Sequence, residues 1–321
     1  MSDPRAAPRA IVIGAAASSS DGRVLIPTHG RIPERPPTDL IWEFKGDAMG
    51  HPWIVRLVPG PGHDREAIYT GIDAELNALT EALDVHAPRS EVSRFNAAPA
   101  GFYKVSDALW AAIDAAMDLA DETDGAFDPT LGALTLSPSA DEDARVEALT
   151  RTGWQGLRMN REARALRQVG GMILDLSSIA RGWAVDRLSD ALAQAGVAHH
   201  TIEFGGVACG RGVRPDARPW TTEIATPAGR TRVALHDVAM THRTGAHLVR
   251  NRTGSPVEGD VSALVVADDA ARADALATAF VVMGPDAAMA HAASVDLAAA
   301  VVTNGREVVS PAFQAMLDEG R

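Results

Sequence analysis

Cysteine is nearly missing from this chain of 321 residues: Cys209 is the only one. A single thiol deep in the sequence leaves neither a disulfide framework nor an N-terminal lipid-anchor cysteine. Long apolar runs are missing too. No stretch approaches the roughly 18 apolar residues of a membrane-spanning helix, so no membrane span is expected. Positive charge is in deficit, with 30 Lys and Arg against 42 Asp and Glu and a net charge of −12. Phosphate backbones need a basic face, so nucleic acid is not expected as a partner.

The first residues, MSDPRAAPRAIVIGAAASSSDG, lack the basic start and long apolar region of a secretory signal. A cytoplasmic location is the resulting expectation. Familiar catalytic templates are missing as well. There is no GxGxxG before a helix, no GxxxxGK followed by Ser or Thr, and no GxSxG. No Cys and His set has zinc spacing.

What is present is an ordinary globular balance, 46% apolar and 22% charged. Ser, Gly and Pro crowd residues 14–38, so residues 1–39 read as a loosely ordered arm and 40–321 as a single domain. IWEFKG and HPWIVRLV alternate like strands, while Ile72, Leu76, Leu79 and Leu83 recur at helical spacing. Ser106 is a good N-cap for a helix carrying Leu109, Trp110, Ile113, Met117 and Leu119. GLRMNREARALRQVGGMILDL reads as short strands joined by tight turns, SIARGWAVDRLSDALAQAG as a helix, and TIEFGGVACG as a buried strand. Asn304-Gly305 between apolar runs predicts a hairpin. Hairpins recur without a regular βαβ repeat. The expected fold class is α+β, with mixed, mostly antiparallel sheets and packed helices.

Four segments could carry chemistry. In ADDAARADALATAF, Asp274 and Thr278 stand one turn apart on one helix face, where their oxygens could converge on a hard cation. Spacing alone leaves a second reading open, in which Asp274 pairs with Arg272 or faces solvent and Thr278 bonds back to its own helix. In DLSSIARGWAVD, residues 175–186, a strand meets a helix start, a natural anion seat. Arg181 in that first turn is wrong for the helix dipole but right for a phosphate. His242, Arg243, His247, Arg250 and Arg252 crowd THRTGAHLVRNRTGSPV, a basic cluster in an acidic chain. In DGAFDPTLG, Asp128 suits a turn.

Taken in order, these segments resemble the ApbE family of Mg²⁺-dependent FAD:protein FMN transferases. The family's MGT turn is similar to Met49-Gly50-His51, and its Ser-Arg-Phe-Asn segment to SEVSRFN, residues 90–96. GAFDPTVGPL is matched by GAFDPTLGAL, DLGGIAKGYAVD by DLSSIARGWAVD, NLGG by EFGG, HIIDPRTGRPV by HLVRNRTGSPV, and ADALATAL by ADALATAF. The likeness covers about residues 40–313.

The resemblance implies Mg²⁺ held by Asp274, Thr278 and the carbonyl of Ser178. It implies FAD contacts at Met49, Ala126, Phe127, Asp128, Asp175, Arg181, His247 and Leu248. His86 stands where the family stacks an aromatic residue on the flavin. FAD would be the substrate, a redox protein with a Thr or Ser flavinylation motif the acceptor, and His247 the base. Three departures stand out: Arg181 for the family's lysine, Ser177-Ser178 for two glycines, and a shortened MTHRTGAHLVRNRTG with Arg250-Asn251 in place of Asp-Pro. Alternatives within the same resemblance are an FAD pyrophosphatase giving FMN and AMP, and a flavin-binding protein without turnover.

Overall fold

The segment VSALVVA is buried along its whole length as strand β13 (Val261–Ala267), because its sheet is covered on both faces. Side chains alternate across a strand, so Ala263, Val265 and Ala267 join one apolar cluster while Leu264 and Val266 join another. The computed structural model describes residues 11–13, 22–28, 35–136, 141–226, 229–250 and 253–320. Among these, β13 lies inside a nine-stranded sheet. Its order is β1 (Ile11–Ile13), β15 (Arg306–Val309), β14 (Ala298–Thr303), β13, β12 (Val238–Thr244), β9 (Val207–Arg211), β8 (His200–Phe204), β4 (His51–Leu57) and β3 (Trp42–Ala48). All neighbouring strands in it are antiparallel.

Two of its hairpins close with consecutive left-handed residues, Met49-Gly50 (φ 46° and 73°) and Asn304-Gly305 (φ 49° and 75°). The second is the Asn-Gly hairpin read from the sequence. TIEFGGVACG is not one strand: Gly205-Gly206 turns β8 back onto β9.

One face of the sheet is covered by helices. Helix α7 (Ala270–Met283) lies on β12 and β13, and α6 (Ala180–Gln194) lies against α7. Around them stand α1 (Arg65–Leu83), α2 (Glu91–Asn96), α3 (Asp107–Glu122) and α8 (Pro285–Ser294). Ser106 caps α3 by accepting the Leu109 N–H, as expected. The short helices α4 (Gly132–Thr135) and α5 (Glu142–Leu149) flank this side, as does a small sheet of β5 (Gly101–Lys104), β7 (Ala165–Gln168) and β6 (Arg158–Asn160). The other face carries α9 (Pro311–Glu319) and a sheet of β10 (Trp220–Thr226), β11 (Gly229–Leu235) and β2 (Arg23–Leu25).

Within the stretch expected as a loosely ordered arm, β1 and β2 are strands. Leu25 is fully buried beside Phe313 and Met316, and Arg23 pairs with the buried Glu307. Burying one leucine contributes about 2 kcal/mol, which offsets part of the cost of ordering three residues and is joined by the pairing with β11. The other correction is MILDL. Apart from one bridge to Leu131, it forms no strand. Its backbone is paired with loops and a side chain: Leu174 donates to Asn96 Oδ1 at 2.8 Å and Asp175 to the Pro129 carbonyl at 2.8 Å. Among the described residues no helix is long and apolar enough to cross a membrane.

Candidate functional site

The site begins where α6 touches the start of α7. A Cβ on Gly182 would lie 2.2 Å from the Ala270 carbonyl oxygen, so only glycine permits the approach. Asp186, one turn on, accepts the Ala270 and Ala271 N–H groups at 2.8 Å each and tethers α7 to α6. Burial pushes Asp186 up to about 6 against those two bonds. The contact sets Arg181 beside Asp274.

Asp274 is fully buried within an alanine-rich helix. Its Oδ1 accepts from Arg243 Nη2 at 2.6 Å and from Arg181 Nη2 at 3.1 Å, and its Oδ2 accepts the Gly182 N–H at 3.4 Å. Thr278 donates its hydroxyl back to the Asp274 carbonyl at 3.2 Å. Arg272, offered from the sequence as a partner for Asp274, pairs with Glu122 instead. Burial lowers the pKa of Arg243, and Asp274 opposes that shift.

Beside this cluster lies a cavity lined by Ala126, Phe127, Asp128, Leu131, Thr135, Asp175, Ser178, Leu248, Val249, Thr278 and Val282. Seven of these are residues that the resemblance assigns to flavin or metal. Asp128 is held by the Thr130 N–H and hydroxyl at 2.8 and 2.6 Å and by the Trp154 N–H at 3.2 Å, and burial raises its pKa against these bonds. Asp175 accepts the Ser177 N–H and hydroxyl at 2.9 and 2.6 Å and the Thr135 hydroxyl at 2.5 Å. Ser177, a departure from the family's glycine, thus locks this turn rather than crowding it. The cavity holds about 30 Å³, room for about one water. A flavin requires its walls to part.

The other expected residues do not line that cavity. Met49 packs against the main core at the β3–β4 turn. His86 is exposed, its N–H bonded to Asp84 Oδ1 at 2.9 Å. His247 is exposed with φ 65°, next to the lining residue Leu248. The basic cluster read from the sequence is dispersed: Arg243 turns inward to Asp274, its strand neighbour His242 lies across the sheet from it by alternation, and Arg250 Nη1 donates to the Val282 carbonyl at 3.2 Å. Asn251 and Arg252 lie outside the described residues.

Sequence reasoning missed two participants. Arg243 stands in the sequence only as one member of a basic cluster, and no residue near it in sequence signals a partner on α7. His51 follows Met49-Gly50 directly, where the family pattern has threonine, and that substitution was its signal. A Cβ at Gly205 would meet Arg181 Cδ at 2.9 Å and His51 Cγ at 3.0 Å, so both side chains close over this turn. Burial, then Arg181 and Arg243, pushes the His51 pKa down.

These donors do not fit Mg²⁺. The ion prefers anionic oxygens in a near-octahedral shell, yet both Asp274 oxygens are already accepting hydrogen bonds, two of them from guanidinium groups.

The ApbE family model matches residues 49–302. The FAD:protein FMN transferase of Klebsiella pneumoniae is 27% identical over 284 residues, 78% of this chain and 81% of that protein. The Vibrio cholerae protein of the same name is 28% identical over 278 residues, 78% and 83% of the two. Among solved structures, Pseudomonas stutzeri flavinyl transferase ApbE in its apo form superposes with TM-score 0.81 at 28% identity, covering 87% of this chain and 97% of that one. Flavin transferase ApbE from Vibrio cholerae gives 0.80 at 25%, covering 86% and 99%. With its α+β fold, its mostly antiparallel sheets and a match over most of its length, the chain belongs to the ApbE family.

Proposed function

We propose that this chain transfers the FMN part of FAD to a Thr or Ser hydroxyl of an acceptor protein and releases AMP. One observation carries the reading. Segments far apart in sequence, from Ala126 to Thr278, converge on one cavity beside two arginines. The relatives named as FAD:protein FMN transferases support it.

In the reaction, the acceptor hydroxyl oxygen bonds to the phosphorus on the FMN side. The bond from that phosphorus to the bridging oxygen breaks, and AMP leaves with the electron pair. Such a displacement asks the protein for positioning and charge stabilisation rather than covalent chemistry. Phe127 and Leu248 offer apolar walls for the flavin, and Arg181 faces the pyrophosphate. An acceptor protein arrives from outside, so a base for its hydroxyl belongs at an exposed rim, and His247 holds that position. Mg²⁺ is assigned no step, because Asp274 does not suit it.

A second reading, flavin binding without turnover, draws on the same exposure of His247, which stands off the cavity lining. The purified chain incubated with FAD, with and without a Thr-containing acceptor, separates the two. Acceptor-dependent AMP and a covalently fluorescent acceptor are expected. Bound FAD without AMP in the presence of a competent acceptor would overturn transfer, and AMP with free FMN would replace it by hydrolysis.

A further inference from the structure

Arg243 and Arg181 share one carboxylate oxygen, yet neither guanidinium is used up by it. The Nε of each is buried without a hydrogen-bond partner. A buried donor left unmade is costly, and two such donors from adjacent cations favour an anion. The Nε atoms themselves are closed to solvent, so the small exposure of the side chains, 17% for Arg243 and 12% for Arg181, lies on their other atoms, and it is there that an anion can meet them. Ser178 and Thr278, each about one helical turn from this cluster, line the cavity.

Resting on the flavin-transfer reading, we infer that Arg243 stands in for the divalent cation and forms with Arg181 a metal-free seat for the pyrophosphate of FAD. Arg181 keeps the charge of the family's lysine, so Arg243 adds one positive charge where Mg²⁺ would add two, and makes up part of the difference by bonding directly. The planar forks of both arginines bond phosphate oxygens directly and need no hydration shell. Fixed beside the bridging oxygen, they neutralise the charge that grows there as AMP departs, the task a metal otherwise performs. Asp274 changes role accordingly. It is the buried counter-ion that orients both arginines, not a ligand. The shortened MTHRTG segment agrees with this role, since Arg243, the last residue but one of β12, points at α7 and is tied to Asp274 before the chain turns away.

The test uses the purified full chain, stripped with chelator, and reads FAD binding by flavin fluorescence and metal uptake by Mn²⁺ paramagnetic resonance. Expected are FAD affinities within about twofold in chelator and in excess Mg²⁺, and a free Mn²⁺ signal that the protein leaves undiminished. Arg243→Ala should lose about tenfold or more in FAD affinity in chelator and begin to take up Mn²⁺, whereas Arg243→Lys should retain part of the affinity. Circular dichroism establishes that the variants fold; should Arg243→Ala unfold, the wild-type metal measurement still decides. One Mn²⁺ per wild-type chain, lost in Asp274→Asn, would overturn the inference, as would FAD binding that requires Mg²⁺. FAD binding in neither condition would instead remove the flavin-transfer reading beneath it.

Discussion

Arg243 and Asp274, on a strand and a helix 31 residues apart, meet with Nη2 donating to Oδ1 at 2.6 Å, the carboxylate fully buried and the guanidinium largely so. Removing one partner of a buried pair leaves the other charge uncompensated. Asp274→Asn would leave two guanidinium groups facing each other, and should destabilise the chain by about 3–5 kcal/mol. Denaturant unfolding measures this. The double variant Asp274→Leu, Arg243→Met should cost less than Asp274→Asn alone, because it removes a charge on each side. Equal midpoints for wild type and Asp274→Asn would contradict the pair.

His247 bears on turnover rather than on binding. His247→Ala should lower kcat for acceptor flavinylation by about a hundredfold with little change in KM for FAD. Steady-state kinetics with a fixed acceptor reads both constants. An unchanged kcat would move the search for the base to His51, a histidine that closes over the Gly205 turn with Arg181.

Gly182 controls the distance between α6 and α7. Gly182→Ala places a methyl 2.2 Å from the Ala270 carbonyl oxygen, so the helices must separate at a cost of about 2–3 kcal/mol. Arg181 moves with α6, so weaker FAD binding should accompany the lower melting temperature. A variant as stable as wild type would show that the contact yields easily.

His200 makes stability depend on pH. Buried on β8, its Nδ1–H donates to the Val197 carbonyl at 3.3 Å and its Nε2 accepts the Ser189 hydroxyl at 2.9 Å. Burial pushes its pKa from the ordinary 6.5 to about 4. As pH falls, the unfolded chain takes the proton first. The stability His200 contributes is therefore intact above about 6.5 and is lost progressively down to about 4, by on the order of 3 kcal/mol. Asp186, raised to about 6, acts oppositely, because below that pH the folded form protonates first. Comparing wild type with His200→Gln isolates the histidine. The wild type should lose stability faster between pH 6.5 and 4, and parallel curves would refute the assignment.

Much of the architecture could be read in advance. Local chemistry decides such features: Asn304-Gly305 for a hairpin, Ser106 for a cap, and repeated leucines for α1. MILDL misled because its apolar residues suit a strand, while its backbone partners, Asn96 and Pro129, lie in distant segments. β1 and β2 were missed because three-residue strands carry almost no periodic signal.

By itself the sequence determined the family and the fold class and named seven residues that line the cavity, since ordered motifs such as GAFDPTLGAL and ADALATAF specify local backbone and side-chain chemistry. Only the tertiary structure decided what Asp274 does. Its spacing to Thr278 suits a metal, but whether it meets a cation or a guanidinium depends on which side chain an antiparallel neighbour points at it. Pleat alternation along β12 and the close approach allowed by Gly182 put two arginines there. Through-space charge, unlike helical periodicity, leaves no trace in linear order.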